Sequence, residues 1–133
     1  MIRLFAILFL ILATPCAAQQ SQPFHLLSAA STNSTNIKPA AGQVVGALCV
    51  NTTAAIYYLK FYDLASAPTC NSTPVVLSIP CSFAASSAGS AVPLMPQQPV
   101  QFINGIGICL TGAIADTDNT NAATGVVIDV LYK

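Results

Sequence analysis

The chain has 133 residues, a formal net charge of zero and only 6% charged side chains, with neither Glu nor Trp. The length suits one domain, but the charge content is far below the ~25% usual for soluble proteins, so Ser, Thr, Asn and Gln must carry solubility and little charge opposes packing against a neighbour. Beyond Ala18 the cations are Lys38, Lys60 and Lys133 and the anions are Asp63, Asp116, Asp118 and Asp129. Such a chain has no basic stripe to neutralise phosphates, which excludes nucleic acid as a partner, and no polybasic site for a membrane surface.

Met1-Ile2-Arg3 opens with one positive charge, Leu4 to Ala13 is unbroken apolar sequence, and Pro15-Cys16-Ala17-Ala18 follows with small residues. Charged, apolar and small in that order is the pattern of a secretory signal helix, and the run is about half the ~20 residues a spanning helix needs. The expected cut is after Ala18. Acylation at Cys16 is the competing reading, but Pro15 stands where a lipoprotein site wants a small residue. A retained signal anchor is the other. The organisation read here is a signal peptide over 1–18, a flexible polar segment over 19–25, and a single β-domain over 26–133. Export places the domain in the periplasm, outside the cell, or on a cell or virion surface, with membrane contact only through the signal segment.

From His25 onward the pattern is β. Gln43 to Val50 is an apolar run ending in the turn cluster Asn51-Thr52-Thr53. Ile56 to Asp63 alternates, with Leu59 and Phe61 on one face and Lys60 on the other. These two segments read as a hairpin. Val75 to Ile79 is the next strand, closed by Pro80, and Phe83 to Pro99 reads as a long Pro-rich connection with at most one short edge strand. Val100 to Ile103 leads through Asn104-Gly105 into Ile106 to Leu110. Asp116 to Thr124 is a polar loop, and Val126 to Tyr132 is the last strand. Short strands separated by turn clusters predict an all-β, antiparallel two-sheet sandwich, jelly-roll-like or Ig-like.

Cys49, Cys70, Cys81 and Cys109 remain beyond the export signal, an even count that reads as disulfides. No Cys-x-x-Cys occurs and His25 is the lone histidine, so zinc is disfavoured. Cys70 and Cys81 flank one expected strand, and five strand residues span ~17 Å against the ~5.5 Å a disulfide wants between Cα atoms. Two pairings stay open: Cys70–Cys109 with Cys49–Cys81, or Cys49–Cys70 with Cys81–Cys109.

Candidate chemistry is sparse. His25 has a general base's titration range but sits at the edge of the polar N-terminal segment, and no Gly-x-Ser-x-Gly elbow accompanies it. Asp116, Asp118, Asn119 and Asn121 concentrate oxygens in one loop and form a calcium candidate, although the EF-hand Gly and Glu are missing and a self-bonded Asx turn explains the same residues. Asp63 and Asp129 are read as solvent-facing strand residues rather than a glycosidase pair. Tyr57, Tyr58, Tyr62 and Tyr132 are either a glycan-binding aromatic face or cross-strand packing. Asn33, Asn51 and Asn71 match the glycosylation pattern by composition. No catalytic residue and no cofactor is expected.

The runs Ser28 to Asn33, Lys38 to Gly42, Tyr58 to Cys70, Gly105 to Gly112 and Asp118 to Gly125, closing on Leu131-Tyr132-Lys133, resemble a family of small β-proteins encoded in tailed-phage and prophage genomes. Family members are described as hypothetical or virion-associated. The resemblance implies a bridge between Cys70 and Cys109, because relatives carry matching cysteines together, which leaves Cys49–Cys81 as the second. It also implies a structural, non-enzymatic role. This chain departs from the family in its export signal, which makes disulfides chemically reasonable. The resulting expectation is an exported β-module that meets a protein partner or its own copies, most simply along a sheet edge, with a secreted ligand- or glycan-binding module, with or without calcium, as the alternative.

Overall fold

A computed structural model describes residues 20–82, 90–94, 96 and 98–133. The signal segment and its cut after Ala18 lie outside the described residues. Those residues form nine strands and no helix: β1 (Gln22–Leu27), β2 (Thr35–Lys38), β3 (Gly42–Asn51), β4 (Tyr57–Asp63), β5 (Leu77–Cys81), β6 (Ser90–Leu94), β7 (Val100–Phe102), β8 (Ile106–Thr111) and β9 (Val126–Tyr132).

One sheet runs β1-β9-β3-β6, with β7 also on β3, and the other runs β2-β8-β4-β5; all pairs are antiparallel. β6 pairs with Ala47 to Asn51 and β7 with Gly42 to Val44, so together they form one interrupted strand beside β3. Only the β4–β5 and β6–β7 connections stay within one sheet. Counting β6 and β7 as one, this is the strand order of a jelly roll, so the two-sheet sandwich expected from sequence takes the first of its two forms.

The inner faces meet in one core. Val44, Ala47 and Cys49 of β3 and Val126, Ile128 and Val130 of β9 pack against Leu59 and Phe61 of β4 and Ile106, Ile108 and Leu110 of β8. Alternating positions place these residues on one face of each strand. Both disulfides implied by the family resemblance are present. Cys49–Cys81 crosses the core from β3 to β5, and Cys70–Cys109 ties the β4–β5 connection to β8.

Three local expectations are corrected. β3 and β4 are not a hairpin, because they lie in different sheets. Asn51-Thr52-Thr53 does turn the chain, with the Thr53 amide donating to Asn51 Oδ1 at 2.9 Å. The buried Asn51 amide then donates to the Ala55 and Cys81 carbonyls, which carries the chain across the sandwich instead of back alongside itself. The segment expected to be flexible over 19–25 is ordered from Gln22, since β1 pairs with β9 along its whole length and buries Phe24 and Leu26 against the core. Pro80 lies within β5 rather than ending it, which an edge strand permits because one side of its ladder is unpaired.

Asn104-Gly105 also carries the chain between sheets. Asp63 Oδ1 accepts the Asn104 and Gly105 amides at 2.6 and 3.2 Å. A Cβ at Gly105 would collide with the Leu64 and Lys38 carbonyls, so only glycine fits this crossing.

Candidate interaction surface

The outer faces of the two sheets differ. On β4 and β8, Tyr62 and Cys109 point away from the main core and form a small second core with Cys70, flanked by Leu64 and Val75. The β4–β5 connection therefore covers this side. Lys60 shares that face but is fully buried, and its Nζ donates to the Ala115 carbonyl at 2.5 Å. The 112–120 loop thus folds over the ammonium. Burial pulls the Lys60 pKa down while Asp118 and Asp116 pull it back up. Burial pushes the Tyr62 phenol up to about 12, with Asp116 and Asp118 adding to the shift, and its hydroxyl donates to the Cys70 carbonyl at 3.2 Å.

The loop explains the calcium candidate. Asp118 accepts from the Ala113 amide at 2.8 Å and from the Thr120 amide and hydroxyl at 3.3 and 2.9 Å. Burial opposes ionisation of Asp118, but these bonds outweigh it and hold its pKa low. Its carboxylate is the hub of the loop's own structure. Asp116 and Asn119 are exposed, while Asn121 forms a β-bridge to Thr111. Beside the loop, Thr32, Ser34, Thr69, Asn71 and Asn119 line a shallow neutral cleft of about 420 Å³ over Cys70.

The other sequence candidates are dispersed. Tyr57 and Tyr62 are buried and project to opposite sides of β4, and Tyr132 lies on the other sheet, bonded to Gln22 at 3.1 Å. The four tyrosines form no common aromatic face. Asp63 is not a free solvent-facing carboxylate but a cap on the Asn104 turn. Burial opposes its ionisation, and the Asn104, Ile103 and Gly105 amides outweigh that and hold its pKa low. Asn33 and Asn51 are buried and spend their amides on backbone carbonyls, whereas Asn71 is exposed.

His25 lies on β1, opposite Asp129 of β9, with Nδ1 and Oδ1 2.6 Å apart. This is the one ion pair among the described residues, and both side chains are largely open to solvent. It sits in the middle of an apolar surface. On the outer face of its sheet, β1 presents Pro23 and Leu27 on either side of His25. β9 presents Leu131 and Val127 on either side of Asp129. Behind them, β3 contributes half-buried Leu48 and Val50, and β6 contributes exposed Pro93 and Ala91. Leu27 is 65% exposed and Leu131 46%.

An antiparallel sheet facing water normally alternates apolar-in with polar-out. Here the outward positions of β1, of β9 and of Gly46 to Val50 in β3 are apolar apart from His25 and Asp129, with Gln43 and Gln101 polar at the β7 end. The sequence carries a signal of this surface that turn and motif patterns do not: Val126 to Tyr132 and Val44 to Val50 are nearly unbroken apolar runs, as strands covered on both faces are.

The edges are blunted. β1 carries Pro23, β5 carries Pro80 and β6 carries Pro93, and the four-residue β2 is broken by a register shift between Asn36 and Lys38. Proline withholds an N–H from any added strand, and short or bulged edges also resist pairing. Among the described residues, the surface that stands open is a face, not an edge. No family model matches the chain, and no curated protein matches it.

Proposed function

We propose that the chain is an exported, non-enzymatic structural or surface-interaction module, of the kind encoded with tailed-phage virion proteins. The apolar outer face of the β1-β9-β3-β6 sheet carries this reading, because an exposed face with one ion pair is unsuited to permanent contact with water. Two disulfides suit an oxidising compartment, in keeping with removal of a signal peptide after Ala18 and release to the periplasm, the outside or a particle surface. The ordered segments between Ser28 and Lys133 support the phage connection by resemblance. Jelly rolls serve in capsids and lectins alike, so the fold leaves the choice to the surface.

Mass spectrometry of purified virions and of the cell envelope tests the proposal. The protein is expected in one of them with Gln19 as its first residue, and consistent absence from both rejects the role. The neutral cleft of Thr32, Thr69, Asn71 and Asn119 favours a second reading, a glycan-binding module whose amides and hydroxyls meet sugar hydroxyls. A glycan array probed with and without calcium checks it, and a blank array removes it.

A further inference from the structure

We propose that the β1-β9 part of the outer face of this sheet docks face to face on a second copy of this chain, with His25 of each copy over Asp129 of the other. This rests on the interaction-module reading and names its partner.

The argument begins with charge. His25 and Asp129 are adjacent on neighbouring strands, and the rest of the named face is uncharged. A two-fold axis running along the strands between β1 and β9 lays β1 of one copy over β9 of the other. His25 then meets Asp129 twice, once in each direction, while Leu27 meets Val127 and Leu131 meets Pro23. An axis across the strands would instead set His25 over His25 and Asp129 over Asp129, which like-charge repulsion disfavours. The face is therefore self-complementary in one orientation, and the ion pair selects it. A neutral or purely basic partner would leave one member of the pair opposed by nothing.

The competing mode of self-association is edge addition, and the prolines on β1, β5 and β6 stand against it. The opposite sheet offers no equivalent face, because the chain's own loops cover Tyr62 and Lys60 there.

Sedimentation equilibrium of the oxidised protein tests this, using wild type, Leu131→Asp, His25→Asp and Asp129→His. Wild type is expected to dimerise, and Leu131→Asp to weaken the dimer by at least about tenfold in Kd. His25→Asp sets carboxylate over carboxylate and Asp129→His sets imidazole over imidazole, so each loses the His-over-Asp pairing and should be monomeric. Mixed together, the two should form a heterodimer, because every facing pair is then His over Asp. Thermal unfolding confirms that the variants are folded, as His25 and Leu131 are exposed and Asp129 is partly so. A wild-type monomer at about 100 μM, a dimer indifferent to Leu131→Asp, or a mixture no tighter than its components overturns the proposal. A monomer found all the same in virions or envelope would leave the interaction-module reading standing and reject only the second copy as its partner. Binding of the monomer to lipid vesicles through this face would likewise overturn it.

Discussion

The two sheets of this sandwich present opposite solutions on their outer sides. The β2-β8-β4-β5 sheet is covered by its own chain: the β4–β5 connection is pinned through Cys70–Cys109, and the 112–120 loop closes over Lys60. Among the described residues the β1-β9-β3-β6 sheet leaves Leu27 and Leu131 exposed on its outer side, where β1 and β9 carry only His25 and Asp129 as polar strand residues. Apolar content alone therefore does not mark an interaction face. What marks it is apolar content left exposed among the described residues.

The disulfides give the largest expected effects and separate the covered side from the core. They join residues 32 and 39 positions apart, so the loop-closure model assigns both about 3–4 kcal/mol. Their locations differ. Cys49–Cys81 spans the two sheets through the main core, and Cys49→Ser/Cys81→Ser should lower global stability by that amount in denaturant unfolding. Cys70–Cys109 holds a cover. Cys70→Ser/Cys109→Ser should add a local signature, with fast amide exchange over 64–76 while β3 and β9 stay protected. Equal exchange patterns in the two variants would mean that the cover and core are one cooperative unit.

Tyr62 extends the comparison to alkaline pH. Its folded pKa of about 12 lies above the model-compound value of 10.0, so its stabilising share is complete below pH 10 and is lost as pH rises through about 12. A gap of two units corresponds to roughly 2–3 kcal/mol. Tyr62→Phe should lose about 1 kcal/mol at neutral pH with the bond to Cys70, and should flatten the alkaline fall in stability. Asp118 and Asp63 act at the other end. Their folded pKa values lie below 3.8, so their contributions are present above that pH and are lost as pH falls through the folded values. Asp118→Asn should reduce the acid sensitivity, read from stability measured between neutral pH and pH 3.

Lys60 distinguishes a tether from a stabiliser. A buried ammonium with one acceptor is expensive to desolvate, and Ala115 can return its carbonyl to water. Lys60→Met should leave global stability within about 1 kcal/mol of wild type, or raise it slightly. The loop it anchors should loosen, with amide exchange at Ala113 and Thr120 faster by about tenfold. Unchanged exchange would mean that Asp118 alone holds the loop.

Much of the fold is legible in the sequence, because strands announce themselves by apolar runs and by turn residues such as Asn51-Thr52 and Asn104-Gly105. What those turns do not encode is whether the chain returns beside itself or crosses to the other sheet. Asn51 settles that through bonds to Ala55 and to the distant Cys81 carbonyl, and no local pattern contains that partner. The Asp116 loop was legible as oxygen-rich, but its purpose depends on Lys60 beneath it, 55 residues away in sequence. The open face was half legible. Both parities of β9 are apolar in sequence, yet only the finished topology tells which parity is left uncovered.

The smallest expected effect tests whether the central pair of the open face contributes to the monomer at all. His25 is 67% exposed at its side chain and Asp129 45%, so water screens their attraction, and an exposed pair is worth about 0.2–1 kcal/mol. His25→Ala, measured at concentrations below the association range, should therefore shift the unfolding midpoint within that bound, far less than either disulfide pair. The same substitution should weaken association, because in a dimer each member of the pair is removed from water and opposed by its complement. Little effect on folding with a clear effect on pairing is the signature of residues placed for a partner. A loss above about 2 kcal/mol in the monomer would instead assign the pair to holding β1 against β9.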